Sequence, residues 1–123
     1  MLDLNIMPRG AGKTQYILKC MGECKSNAVY VSNKYHCGDA KMRFRSEYKK
    51  ELNTAFLGEE TRRLSVPKGG LMGYDECMPE LEDLLYLERK GIDVVIAFTP
   101  TADLAKNKEL LKYLKDRCPD EFI

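Results

Sequence analysis

Hydrophobic positions along the chain come in short runs of strand spacing, each followed by a stretch of helix spacing. Leu2, Leu4 and Ile6 alternate with polar residues and then meet Met7-Pro8, which predicts a half-buried strand ending at about Met7. A glycine-rich turn follows. Tyr16, Ile17, Cys20 and Met21 then share one helical face, predicting a helix from about Thr14 with a stop near Gly22. Ala28-Val29-Tyr30-Val31 reads as a second strand, closed by Ser32-Asn33. Gly38-Asp39 looks like a helix start, and Phe44, Tyr48 and Leu52 recur every fourth residue as a buried stripe.

Arg62 to Val66 reads as a short extended piece and Pro67-Lys68-Gly69-Gly70 as a turn. Leu71-Met72-Gly73-Tyr74 predicts another strand, weakened by Gly73, which offers no side chain to pack. Pro79 suits the first turn of a helix with Leu81, Leu84, Leu85 and Leu87 on its apolar side and Gly91 at its end. Ile92 to Phe98, containing Val94-Val95-Ile96-Ala97, is the strongest buried strand. Thr99-Pro100-Thr101 leads into a last helix carrying Leu104, Leu111 and Leu114, closed by Pro119.

Strands alternating with helices predict an α/β fold of three layers, a mostly parallel sheet flanked by helices on both faces. Residues 1–123 read as one domain, and the strand before the glycine-rich turn is expected beside the strand ending at Asp75. The formal net charge of +1 favours no class of partner, so any basic site has to be local. The chain shows no apolar run of membrane-spanning length and no leader pattern, so a cytoplasmic location is expected, with its five cysteines reduced.

The candidate chemistry starts at Pro8-Arg9-Gly10-Ala11-Gly12-Lys13-Thr14, followed by Gln15. A phosphate loop needs a strand to deliver it, glycines that let the backbone curl around oxygens, and a helix whose free N–H groups meet the anion. It also needs a lysine for the outer phosphates and a hydroxyl for magnesium. Gly10 and Gly12 supply the curl, Lys13 the cation and Thr14 the hydroxyl, while Met7 stands at the usual first glycine position. The expected ligand is ATP with magnesium. Arg9, inside the loop, could stabilise charge on a transferred phosphoryl group or face solvent.

Asp75 and Glu76 fall at the carboxyl end of a strand, where ligands of open parallel sheets sit. Asp75 is expected to hold magnesium with Thr14, and Glu76 to activate water or a substrate hydroxyl. The plainer reading is an acidic helix start before Pro79. Thr99 ends the last strand, where it could reach the outer phosphate or the attacking water, or simply cap the final helix. Cys20, Cys24, His36 and Cys37 are spaced too irregularly to favour zinc over ordinary thiols. Lys41, Arg43, Arg45, Lys49 and Lys50 offer either a nucleic-acid contact or a solvated helix face diluted by Glu47 and Glu51.

These motifs together resemble the additional-strand, catalytic-glutamate class of P-loop proteins, and within it the large terminase subunits that package phage DNA. The resemblance rests on the arginine-containing loop Met7 to Thr14, on Asp75-Glu76, and on Phe98-Thr99-Pro100-Thr101 as a coupling motif. It covers roughly residues 2 to 117 as order and spacing, without the nuclease domain of those larger proteins. It implies a small, phage-type accessory ATPase, with Lys13, Glu76 and Arg9 as catalytic residues. A non-hydrolysing module that binds nucleotide and regulates a partner protein is the alternative. Thymidine kinase-like proteins are a second resemblance, in which Glu76 would be the base toward a nucleoside.

Overall fold

Apolar periodicity is realised as five strands and four helices in the computed structural model, which describes residues 1–8, 10–58, 69–99 and 107–122. In chain order these are β1 (Leu2–Ile6), α1 (Lys13–Glu23), β2 (Ala28–Ser32), α2 (Lys34–Tyr48) and β3 (Asn53–Phe56). Then come β4 (Leu71–Asp75), α3 (Leu81–Arg89), β5 (Asp93–Phe98) and α4 (Lys108–Arg117), followed by a 3₁₀ turn at Pro119–Phe122.

The strands pair in the order β1-β5-β4-β2-β3, and every pairing is parallel. A parallel sheet must be covered on both faces, and the period of two along each strand divides its side chains between two cores. Val94, Ile96 and Phe98 of β5 join Leu84, Leu87, Leu110 and Leu114 of α3 and α4 on one face. Val95 and Ala97 join Ile17, Leu18, Met21, Ala40 and Phe44 of α1 and α2 on the other. A one-residue slip in any strand would exchange these sets, so register is strongly specified. The architecture is the three-layer α/β fold that the alternation predicts. No described helix is long and apolar enough to cross a membrane.

Gly73 has a positive reason to be a glycine. A Cβ there would collide with Met21 Cε and lie 2.7 Å from Ile17 Cγ2, so its absence lets α1 lie close against β4. That brings the start of α1 down toward Asp75, two residues further along the same face.

Several expectations need correction. The loop-bearing strand β1 does not lie beside β4, because β5 is interposed and pairs with both. Helix α2 starts at Lys34 rather than near Gly38, because the Asn33 side chain accepts from the His36 amide at 3.0 Å and caps it. Leu52 is buried but lies beyond the end of α2, just before β3, a strand the periodicity did not reveal. Pro79 precedes α3, whose first residue is Leu81, and Leu85 is exposed while Leu84 and Leu87 are buried. The extended piece at 62–66 and Leu104 lie outside the described residues.

Candidate functional site

From β1 the chain runs straight into the loop. The Met7 amide donates to Phe98 O at 3.0 Å, tying the loop to the end of β5, and the Ala11 amide donates to Pro8 O at 3.2 Å to close the turn. Gly10 and Gly12 have φ of 79° and 87°, a region costly for any residue with a Cβ. Gly12 is the N-cap of α1, so no side chain caps the helix and its first turn carries no acid. The leading amides of α1 are therefore left for an outside acceptor.

Lys13 is only 7 % exposed despite its charge. Its Nζ donates to Pro8 O at 3.0 Å and Met7 O at 3.5 Å, and pairs with Glu76 Oε1 at 3.0 Å. Thr14, one residue on, donates from Oγ1 to Asp75 Oδ2 at 2.6 Å. The first turn of α1 thus engages both acids through adjacent residues.

The two acids occupy different surroundings because the strand ends between them. Asp75 completes the alternation of β4, and its side chain falls on the α1 side, 1 % exposed. Its Oδ2 accepts from Thr14 and from the Tyr30 hydroxyl. Its Oδ1 is buried with no hydrogen-bond partner among the described residues.

Glu76 lies past the strand at φ 56°, a left-handed conformation that costs an L residue about 1–2 kcal/mol. The peptide leading into it is clamped on both sides. Ser32 Oγ donates to Asp75 O at 2.7 Å, and the Glu76 amide donates to Ala97 O at 2.9 Å. So turned, the Glu76 carboxylate reaches Lys13 and also accepts from the Thr99 hydroxyl at 2.8 Å and the Thr99 amide at 3.2 Å. Burial pushes this carboxyl up, but hydrogen bonds from Thr99 and Lys13 outweigh it and hold Glu76 below the ordinary carboxylate value.

A cleft of about 800 Å³ opens over these groups. It is lined by Gly10, Gly12, Lys13, Thr14 and Gln15 from the loop side, by Asp75, Glu76 and Thr99 from the strand ends, and by His36 and Arg43 from α2. The residues singled out from sequence therefore converge. Pro8 takes part through its carbonyl, and Ala11 is exposed on the loop. Arg9, Pro100 and Thr101 lie outside the described residues, and the described cap of α4 is Asn107, whose side chain accepts from the Leu110 amide.

The basic residues of α2 separate. Arg43 lines the cleft and pairs with Asp39 at 3.1 Å. Arg45 pairs with Glu51 at 3.8 Å, Lys50 Nζ donates to Gly22 O at 3.5 Å, and Lys41 and Lys49 are exposed. Phe44 is buried in the core under α2 with Tyr48 packed beside it, so neither ring forms part of a basic surface. Among the described residues no group of three or more His, Cys, Asp or Glu side chains could hold a metal, Cys20, Cys24, His36 and Cys37 included.

Tyr30 and Ser32 are site residues that the sequence did not reveal, and His36, weighed there only as a zinc ligand, lines the cleft. Tyr30 and Ser32 are polar groups two apart near the carboxyl end of β2, and Ser32 Oγ lies 3.1 Å from His36 Nδ1. Their role depends on β2 lying beside β4, with Tyr30 opposite Gly73, and no local pattern encodes that adjacency.

No protein-family model matches the chain, and no curated protein matches it. Fold and site define an all-parallel α/β domain whose strand ends carry a glycine-rich loop, a buried lysine and two unlike carboxylates.

Proposed function

We propose that this chain binds ATP with magnesium in the cleft and hydrolyses its outer phosphate, as a small accessory ATPase of phage type. The observation that carries this reading is the convergence of Lys13, Glu76 and Thr99 with the Thr14–Asp75 pair at the mouth of one glycine-rich loop.

The donor set around Asp75 suits a hard cation. Thr14 Oγ1 has lone pairs left after donating its proton, and Asp75 Oδ1 is a buried carboxylate oxygen without a donor among the described residues. These oxygens would hold magnesium, which supplies charge neutralisation at the outer phosphates when bound.

The remaining work falls to the chain's own groups. The uncapped amides of α1 and the loop receive the phosphates. Lys13 turns from Glu76 to the outer phosphate and neutralises charge on its oxygens as the bond to the leaving diphosphate lengthens. Freed from Lys13, Glu76 loses one of the contacts that hold its pKa down and becomes a better base while Thr99 keeps it oriented. It accepts a proton from the water whose oxygen bonds to phosphorus, and ADP and phosphate leave. Arg9, by the resemblance, would contribute a further positive charge to the reaction.

The test is phosphate release from Mg-ATP by the purified chain, with Lys13→Ala and Glu76→Gln alongside. Turnover in the wild type, cut about 100-fold or more in both variants, is the expected result. Nucleotide binding without release would overturn hydrolysis in favour of a nucleotide-dependent binding module.

A second reading, a nucleoside kinase, is favoured by one observation. The cleft also takes in α2, where His36 and Arg43 line it. An acceptor seated there would present its hydroxyl to Glu76 in place of water, and transfer to a nucleoside with none to water would identify it.

A further inference from the structure

Asp75 carries its hydrogen bonds unevenly. Two hydroxyl donors, Thr14 and Tyr30, fall on Oδ2, and none of the described residues donates to Oδ1. A buried carboxylate would ordinarily have donors on both oxygens, since an unpaired buried oxygen is costly. Lys13, the buried cation at this site, is committed to Glu76. The bare oxygen is thus the one open to a cation, and the doubled donors on Oδ2 fix which oxygen stays bare.

The two donors are not equivalent. Thr14 sits at the start of α1, where its hydroxyl has to serve the carboxylate and a metal together. Tyr30 is fully buried in the core with Ile17, Met21, Ala40 and Phe44, and its hydroxyl donates to Asp75 Oδ2. Its ring is anchored by a core that ligand binding need not disturb.

Resting on the magnesium-nucleotide reading above, we propose that Tyr30 is the positioning residue of the metal site, locking the Asp75 carboxylate through Oδ2 so that Oδ1 is held ready for the cation. It acts through Asp75 and touches neither nucleotide nor metal. Without the phenol, the carboxylate hangs on Thr14 alone and can turn about its own axis. Groups that orient a metal ligand from behind typically contribute 10- to 100-fold in metal affinity.

The experiment is a Mn²⁺ titration followed by electron paramagnetic resonance, with a non-hydrolysable ATP analogue bound, on the wild type, Tyr30→Phe and Asp75→Asn. Affinity for the analogue in EDTA is measured in parallel. Phenylalanine keeps the ring and its packing, so the core is preserved. The expected result is Mn²⁺ affinity weakened about tenfold or more in Tyr30→Phe, with metal-free affinity unchanged. Asp75→Asn should lose the protein-held Mn²⁺ signal.

Wild-type Mn²⁺ affinity in Tyr30→Phe overturns the assignment and leaves the nucleotide reading standing. So does an equal loss of metal-bound and metal-free affinity, which would make the hydroxyl a folding contact only. A wild type that binds the analogue under neither condition overturns the nucleotide reading and this assignment with it. Should Tyr30→Phe fail to fold, the wild type answers alone. The ¹³Cζ resonance of Tyr30 should move when Mg²⁺ is added to the analogue complex and stay fixed in Asp75→Asn; an immobile wild-type resonance sinks the proposal.

Discussion

Lys13 and Glu76 meet at 3.0 Å, so in the proposed reaction the cation meant for the outer phosphate is held by the carboxylate that would activate water. In the proposed reaction, binding and base activation would then be one exchange: a phosphate that captured Lys13 would release Glu76. Removing the negative charge should ease capture while disabling chemistry. Glu76→Gln is expected to bind Mg-ATP several-fold more tightly than the wild type and to release phosphate at about one hundredth of its rate or less. Calorimetric titration and a phosphate-release assay on the same preparation check both halves; weakened binding in Glu76→Gln would contradict the exchange.

Thr99 should matter through its hydroxyl, since the hydroxyl bond to Glu76 at 2.8 Å is shorter than the amide bond at 3.2 Å. Thr99→Val removes that donor and keeps the branched shape; Thr99→Ser keeps the donor. The Glu76 pKa is expected to rise in Thr99→Val and to stay near wild type in Thr99→Ser, read from the carboxyl carbon shift in an NMR titration. Phosphate release should fall about tenfold or more in the valine variant alone.

The depressed Glu76 pKa also makes a prediction about acid. A carboxyl held below its ordinary value of 4.5 contributes stability that is fully present above that pH and is lost as pH falls through the folded-state value. Melting temperatures between neutral pH and strong acid should therefore fall less steeply below about pH 4.5 for Glu76→Gln than for the wild type. Parallel curves for the two proteins would show that the Lys13 and Thr99 contacts contribute nothing to folding.

Gly73→Ala should destabilise the sheet although alanine is ordinarily acceptable in a strand. The added methyl would have to displace Met21 and Ile17, an overpacking that costs about 1–3 kcal/mol. Urea denaturation measures it, and a neutral result would mean that α1 does not lie this close to β4. Metal-dependent nucleotide affinity should weaken as well, because shifting α1 moves Thr14 away from Asp75.

Ser32→Ala withdraws the hydroxyl from Asp75 O and leaves that carbonyl short of a partner, at a cost of about 1–3 kcal/mol. The peptide would then be clamped on one side only, and Glu76 should leave its left-handed conformation for part of the time. Phosphate release should fall more than nucleotide binding does, a difference that steady-state and binding measurements separate.

Much of this was legible because local physics writes it locally. Val94 to Phe98 can only be a buried strand, and Gly10, Gly12 and Lys13 between a strand and an amphipathic face mark a loop of special conformation. The convergence of Lys13, Thr14, Asp75, Glu76 and Thr99 followed from strand ends sharing one edge of a parallel sheet. Strand order was not legible. The neighbours of β1 are decided by which faces the crossovers bury, and nothing in Leu2 to Ile6 names β5. Tyr30 and Ser32 went unseen for the same reason: each looks like an ordinary strand residue until β4 lies alongside. The left-handed turn at Glu76 was hidden too, since glutamate does not advertise it and its clamps come from β2 and β5.

Pairing of β1 with β5 carries a consequence for how the protein comes into being. Among the described strands β1 leads the chain and β5 closes it, yet β5 is the neighbour of β1, with Leu2 opposite Val94 and Ile6 opposite Phe98. While the chain emerges from the ribosome, β2, β3 and β4 can find one another early, but β1 has no neighbour among the described strands until β5 is made. A nascent chain ending before Asp93 would hold the glycine-rich loop on an unanchored segment. The anchoring of the glycine-rich loop therefore arrives late and all at once, when one strand slides between two others and joins them into one sheet.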